Sequence, residues 1–387
     1  ADARAICVAT MTLEVGIDIG DIDLVVCMDP PFSLSSFLQR IGRGCRRLQG
    51  LTRVLCVARN RTGELIFDAL IRQATNGVPA GPTPSYRRSV LLQQILAYLR
   101  QVSKNQRVVD QFVRVLGSTA KPPISEECIE SVLSSMVQES LLDCRNGIYQ
   151  PASEGWSFIE SNKLYTNIQP NPLEIALVDV DSGKTVVSVA GVLGGSGVRV
   201  AGRSYELLPG GSGTRRRIRG GGEHENSPNY HAQKLPYASD IGAALANRFG
   251  VEPNSLVTLR VGSSIVVMTW LGALLNKIIA NSLIRRGHKV TDGSFHLTIQ
   301  GHSVDDLLPL IRQSVEDITN TNPLARMDLE RIVDIGPHFR YLSPSEQARA
   351  REDWLDSEFL TNWVQGIASV QEVDASTETG IDLIALT

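Results

Sequence analysis

Apolar and polar positions along the first 58 residues predict short strands separated by helical or loop segments. The runs ARAICVA (3–9), DLVVCMD (23–29) and TRVLCVA (52–58) read as strands, with SLSSFLQRI (33–41) as a helix between the second and third. Leu24 to Cys27 and Val54 to Val57 are apolar on both faces, as strands of a parallel sheet covered on both sides should be. Three strands are fewer than the five or six of an ordinary sheet, so the segment reads as the C-terminal part of an α/β domain.

GVPAGPTPS (77–85) is rich in proline and glycine and predicts a linker. Beyond it, Val90, Leu91, Ile95, Leu96, Tyr98 and Leu99 recur at helical spacing, and Val108, Val109, Phe112 and Val115 do so again. Ser125 is positioned to cap a third helix, with Glu126 and Glu127 in its first turn and Ile129, Val132, Leu133, Met136 and Val137 as its buried stripe. Leu141–Cys144, Arg145-Asn146-Gly147 and Ile148–Gln150 predict a hairpin with an Asn-Gly turn. Three helices and a hairpin outline a winged helix. Strand-forming runs at 175–180, 185–192, 198–207, 257–261 and 295–300 predict a barrel-like or sandwich domain interrupted by helices near 239–249 and 271–286. Residues 210–229 are glycine-rich and polar and predict a flexible loop. Leu307, Leu308, Ile311, Val315 and Ile318 form a helical stripe that opens a helical end piece. The expected fold is therefore multidomain α/β and α+β: a partial parallel-sheet lobe (1–78), a winged helix (86–162), a β-rich barrel-like domain (166–303) and C-terminal helices (304–387).

The 387 residues are 42% hydrophobic and 20% charged, an ordinary globular composition with room for several cores. The longest apolar stretch, 265–275, is followed at once by Asn276 and Lys277, so it is too short for the roughly 20 residues that span a bilayer. No signal peptide is legible at the amino end, and a cytoplasmic protein without a membrane partner is expected. Cys7, Cys27, Cys45, Cys56, Cys128 and Cys144 contain no C-x-x-C pair and are expected to be reduced, mostly packed thiols rather than zinc ligands or disulfides. A net charge of −3 exerts no global pull on nucleic acid, so such binding must come from local clusters. Basic residues, mostly arginine, gather at 40–53, 87–88, 215–219 and 285–289, and the planar guanidinium fork suits phosphate. Basic runs are also common on merely solvated surface.

Two segments carry specific chemistry. VATMTLEVGIDIGDIDLVV (8–26) and QRIGRGCRR (39–47) follow one another in a strand, turn, strand and helix context. Together they resemble motifs V and VI of superfamily 2 helicases of the DEAD/DEAH-box kind. The resemblance implies a partial RecA-like second lobe. In that family ATP lies in a cleft between two such lobes, and ligands of α/β sheets commonly sit beyond the carboxyl ends of the strands. It further implies Gly16 and Asp18 near the nucleotide, Gln39 ordering the cleft, and Thr10 on a nucleic-acid phosphate. Arg43 and Arg46 would be arginine fingers, Arg46 sharing that assignment with Arg47. Arg40, Arg43 and Arg46 at spacing of three also fit a solvated helix face.

A RecA-like lobe followed by a winged helix and a β-rich domain resembles the core of the large helicase-related (Lhr) proteins. LYTNI (164–168) and TWLGALLNK (269–277) are similar to segments of their β domain. The resemblance implies an ATP- and Mg2+-dependent DNA helicase or translocase with repair or defence against foreign DNA as its setting, acting on single-stranded or partly duplex DNA. Arg215, Arg216, Arg217 and Arg219 would add grip on the strand. No G-x-x-x-x-G-K-[ST] and no D-E-x-[HD] occurs; Gly183-Lys184-Thr185 reads as a hairpin turn. The chain is thus expected to hold half of an ATPase, inactive alone, with Mg2+ held by a first lobe, either in the same polypeptide or separately encoded. The other expectation is a non-catalytic nucleic-acid-binding or scaffold half of a split or degenerate helicase. Glu126, Glu127, Glu130 and Glu139 would repel phosphate, so the winged helix is expected to brace rather than read DNA. Trp156, Trp270 and Trp354 could stack on bases or fill cores.

Overall fold

The computed structural model describes residues 6–8, 22–44, 53–76, 87–118, 123–160, 164, 174–190, 197–200, 203–209, 215–221, 237–251, 255–327, 329, 333, 335–336 and 338–387. The chain opens with β1 (Val25–Met28), α1 (Leu34–Ile41), β2 (Val54–Val57) and α2 (Arg61–Thr75). It continues with α3 (Arg88–Gln101), α4 (Val109–Phe112) running into a π turn over Val113–Gly117, and α5 (Glu126–Gln138). The hairpin β3 (Leu142–Arg145) and β4 (Ile148–Pro151) and helix α6 (Ser153–Glu160) follow. Then come β5 (Glu174–Asp179), β6 (Thr185–Ala190), β7 (Gly197–Val200), β8 (Arg203–Leu207) and β9 (Arg215–Gly220). Next are α7 (Ser239–Arg248), β10 (Ser255–Val261), β11 (Ser264–Met268), α8 (Ala273–Arg285), β12 (Val290–Asp292) and β13 (His296–Gln300). The chain closes with α9 (Val304–Thr321), α10 (Pro344–Glu352), α11 (Ser357–Gly366), β14 (Ser369–Val373) and α12 (Glu378–Ala385).

These elements divide into two units, each discontinuous in sequence: 1–86 with 235–335 and 344–387, and 87–234 with 336–343. In the first, β1 and β2 pair in parallel, Val25 opposite Val54 and Cys27 opposite Cys56. One face of the pair carries buried Cys27 onto the helices, while Val26, Met28 and Leu55 on the other face are exposed. Helix α1 begins at Ser33, whose hydroxyl accepts from the Ser36 amide at 3.1 Å, and α2 begins at Asn60, whose side chain accepts from the Gly63 amide at 3.0 Å. Helix α2 buries Leu65, Ile66, Phe67, Ala69 and Leu70 in a core shared with Phe37, Ile241, Leu245, Val257, Met268, Phe295, Leu383 and Leu386.

A five-stranded sheet of order β12-β13-β11-β10-β14 completes this unit. Its edge strand β14 pairs in parallel with β10, Ser255 opposite Ser369. The end of the chain is therefore not the purely helical piece expected: residues 369–373 add a strand, and α12 packs on α2. Arg61 makes a two-pronged bond to Asp382 at 2.8 and 3.0 Å, which together with Glu64 raises the guanidinium above its ordinary range. Arg248 of α7 reaches Asp68 of α2 at 2.7 Å. Asp68 feels burial first, but its bonds to Arg72 and Arg248 leave its carboxyl below the ordinary value.

In the second unit α3, α4, α5 and the β3–β4 hairpin take the expected order, with Ser125 capping α5 through the Cys128 amide at 3.2 Å. Ile129, Val132, Leu133 and Met136 are buried. Residues 336–343 return to this unit: His338 and Tyr341 pack edge-on against Phe158 of α6, and the Ser343 amide donates to Ser135 Oγ of α5 at 2.8 Å. The second five-stranded sheet has the order β6-β5-β9-β8-β7 and is not closed among the described residues.

Three expectations change. Among the described residues the stretch 166–303 contributes strands to two sheets in different units, where one barrel-like domain was expected. Residues 198–207 form two antiparallel strands, Val200 opposite Arg203, instead of one. Arg215–Gly220, expected within a flexible loop, is the central strand β9, because Ile218 supplies one inward-facing residue that buries against Leu177, Val198 and Val200. The linker expected at 77–85 and the remainder of 210–229, Gly221 apart, lie outside the described residues. Thiol packing is also looser than expected: Cys27 is buried, Cys56 and Cys128 are half-buried, and Cys7 and Cys144 are exposed. Burial, with Cys27 opposite, pushes the Cys56 thiol up to about 11. Among the described residues no helix is long and apolar enough to cross a membrane.

Gly242 on α7 abuts the Trp270 carbonyl so closely that an added Cβ would lie 2.0 Å from its oxygen. Gly242→Ala is expected to lower stability by about 1–3 kcal/mol, the usual cost of overpacking. Denaturant unfolding checks this, with Ala substituted at open Gly250, where φ is +64°, as a comparison limited to backbone strain.

Candidate functional site

Helix α1 and its exit turn hold the part of the candidate nucleotide site that the structure describes. Leu34, Ser36 and Phe37 face the core, which leaves Gln39 exposed on the outer surface; its amide lies 3.5 Å from Ser35 Oγ. The Gly42 amide closes the helix on the Leu38 carbonyl at 2.9 Å, and the Arg43 and Gly44 amides donate to the carbonyls of Arg40 and Ile41. Arg43 thus belongs to the turn beyond α1, where it is half-buried with its Nε shielded from solvent. Gly44 forms a parallel bridge with Ile22. The structure therefore brings Gln39 and Arg43 together at one end of α1. Thr10, Gly16, Asp18, Arg46 and Arg47 lie outside the described residues.

The bridge to Ile22 locates Arg43 relative to β1. Ile22 precedes β1, so Arg43 is at the amino edge of that strand and not beyond its carboxyl end. The geometry requires this: α1 starts after β1 and runs back alongside it, and an eight-residue helix covers about 12 Å at 1.5 Å per residue. A four-residue strand covers about 13 Å, so the helix ends level with the strand's beginning.

The arginine cluster lies in the other unit, on β9. Arg216, Arg217 and Arg219 are exposed. Strand alternation puts Arg217 and Arg219 on the face opposite buried Ile218, about 6.6 Å apart along the strand, while Arg216 shares the face of Ile218. Arg219 also approaches Asp181 at 3.6 Å. Nothing is described of the Arg215 side chain. Gly183-Lys184 is a hairpin turn between β5 and β6, with Gly183 at φ +67° and the Asp179 carboxylate accepting from the amide and hydroxyl of Ser182. These bonds hold the Asp179 carboxyl below its ordinary value.

TWLGALLNK proves to be a packing motif. Thr269 donates to Asn276 Oδ1 at 2.6 Å, and the fully buried Asn276 donates to the Gly293 carbonyl at 3.0 Å. Trp270 takes a left-handed backbone, φ +59°, and stacks on Phe249 at 6.0 Å in the core. Trp156 is 37% exposed on α6, and Trp354 is half-buried. The exposed face of α5 carries Glu126, Glu127 and Glu130. Among the described residues no three His, Cys, Asp or Glu side chains gather in a way that could hold a metal ion.

One residue that sequence reasoning missed is Asp240, in the first turn of α7. Its carboxylate accepts from the Leu34 amide of α1 at 2.9 Å and from the Ile241 amide at 2.8 Å. Burial pushes the carboxyl above its ordinary value, against the pull of these amides. An acidic residue near a helix start is too common a signal to reveal a partner 206 positions away.

Residues 1–47 match the helicase conserved C-terminal domain. The chain is 32% identical over 134 residues to the ATP-dependent helicase Lhr-Core of Methanothermobacter thermautotrophicus, covering 34% of this chain and 15% of that protein. It is 44% identical over 64 residues to the Lhr helicase/uracil glycosylase of Escherichia coli, covering 16% of this chain and 4% of that protein. Among solved structures, that of the Mycobacterium smegmatis helicase Lhr bound to ssDNA and AMP-PNP superposes with a TM-score of 0.52 at 14% identity, covering 97% of this chain and 58% of that one. The chain thus spans less than two thirds of each of these relatives.

Two buried imidazoles make the fold acid-sensitive. Burial lowers the pKa of His296 on β13 and of His338 in the returning segment below the ordinary 6.5. Each stays neutral when folded and takes up a proton on unfolding, so their stabilisation is complete above pH 6.5 and is lost as pH falls towards the folded pKa. Each histidine contributes a slope of up to about 1.4 kcal/mol per pH unit. Thermal unfolding between pH 7 and pH 5 is expected to show this acid limb, flattened in the His296→Leu and His338→Leu variants.

Proposed function

Because the chain is Lhr-like and matches the part of a superfamily 2 helicase that includes its conserved C-terminal helicase domain, we propose that it works in an ATP-dependent DNA helicase or translocase. The observation that supports this most directly is Arg43, held in a fixed turn at the end of α1 within the run Gln39 to Arg46. There its guanidinium would meet the γ-phosphate of ATP gripped by a first lobe, in this polypeptide or another, which also holds Mg2+. ATP supplies the phosphoanhydride whose cleavage drives the cycle. Arg43, with Arg46, would neutralise charge on the departing phosphoryl group, an effect worth about 10³–10⁵ in rate where arginine fingers act. By the motif resemblance Gln39, Gly16 and Asp18 would complete the cleft on this side, and Thr10 would touch the nucleic-acid backbone.

In this reading the three helices and hairpin of residues 86–162 are a winged helix that serves as a packing module. The acidic outer face of α5 favours bracing over insertion into a DNA groove. The sheet centred on β9 offers Arg217 and Arg219 at a spacing close to that of successive phosphates in an extended single strand, with Arg215 and Arg216 adding charge. The exposed arginines of β9 serve equally in one second reading, a non-catalytic nucleic-acid-binding or scaffold half of a split or degenerate helicase.

Two measurements decide between them. With the first lobe supplied, Arg43→Ala is expected to lower DNA-stimulated ATP turnover by about 10³ or more and leave DNA affinity nearly intact. Near-normal turnover in that variant sinks the finger assignment. Replacing Arg215, Arg216, Arg217 and Arg219 by alanine should weaken single-strand binding and flatten the slope of log affinity against log salt, with little sequence dependence. An unchanged slope removes β9 from the interface.

A further inference from the structure

A helix of eight residues is too short to hold its own shape, since isolated helices below about 12–15 residues are marginal in water. The orientation of α1 must therefore be imposed from outside. Its first-turn amides are satisfied in two ways. Ser33 caps Ser36 locally, which favours helix over coil but does not aim the axis. Leu34 is capped from a distance by Asp240 at 2.9 Å, and the Ala238 amide donates to the Phe32 carbonyl at 2.9 Å beside it. These two bonds join the entry of α7 to the entry of α1.

The entry of α7 is itself immobilised. Gly242 sits against the Trp270 carbonyl, and a Cβ on Gly272, at φ +81°, would come within 2.5 Å of the Ser239 amide nitrogen. The Ala273 amide donates to the Tyr237 carbonyl at 3.1 Å. The strained turn at Trp270 thus anchors residues 237–242, and these anchor α1. We infer that Asp240 is a positioning residue: its carboxylate fixes the orientation of α1 and thereby places Gln39 and Arg43. The placement of α1 follows from the geometry alone, whereas its consequence for catalysis rests on the ATPase reading above.

The first test is hydrogen exchange on this chain and needs no ATP. Asp240→Ala should raise exchange of the α1 amides about tenfold, the scale of one lost helix cap, with α2 unchanged. Asp240→Asn keeps one acceptor for Leu34 and should preserve α1 within about threefold. Should Asp240→Ala fail to fold, Asp240→Ser serves in its place, because its hydroxyl bonds locally but is too short to reach α1. Unchanged α1 exchange in these short-chain variants, or equal loss in Asp240→Asn, overturns the inference.

The second test measures ATP turnover with the first lobe supplied. Asp240→Ala should lower kcat about tenfold, with KM for ATP and DNA affinity near wild type, and Asp240→Asn should restore it. Loss in KM or DNA affinity without loss in kcat removes the catalytic consequence. A wild-type protein without turnover sinks the ATPase reading instead, and the exchange result still judges the brace.

Discussion

Among the described residues the parallel sheet is a pair of four-residue strands, too small to bury the helices packed on it. Parallel sheets owe their stability to cover on both faces, and β1 with β2 offers too little area to close a core with α1 and α2 alone. The shortfall is met by residues far along the chain. Ile241 and Leu245 on α7, Met268 and Phe295 around the β12-β13-β11-β10-β14 sheet, and Leu383 and Leu386 on and just beyond α12 all enter the core that holds Phe37 and Ile66. The placement of Arg43 is an outcome of this shared core, because α1 can only be as well oriented as the surfaces it packs against.

The charges between α2, α7 and α12 obey the same constraint. Asp382 is nearly buried and would be costly alone, but Arg61 engages it with two parallel bonds and Arg248 approaches at 3.9 Å. Such planar, bidentate pairs add directional specificity to burial. Hydrophobic contact brings the three helices together, and the arginine forks fix how they are turned.

Where local chemistry decides a structure, the sequence was legible. The Ser125 cap, the Asn146-Gly147 turn, the α1 helix and the Gly183 turn each depend on a few adjacent residues. Where distant segments decide, it was not. Ser369–Val373 is a strand because β10 has a free edge to pair with, and its residues alone do not announce that. Arg215–Gly220 was masked by its own composition: four arginines and flanking glycines read as solvated loop, while the single inward Ile218 that makes it a strand carries almost no periodic signal. Gln39 and Arg43 were found through motif context, yet their position at the amino edge of β1 follows from helix and strand lengths, which only the fold supplies. Asp240 had no signal because its partner lies on another segment.

The interleaving of the two units has a consequence for biosynthesis. During synthesis β1, α1 and α2 leave the ribosome long before α12, so their core lacks Leu383 and Leu386 until those residues are made, and β10 lacks its parallel neighbour until residue 373 is made. Contacts of such long sequence separation fold slowly and leave apolar surface open meanwhile. The nascent first unit is therefore a natural client for chaperones throughout its translation, and a stop codon anywhere before α12 would release a polypeptide whose lobe core has never closed.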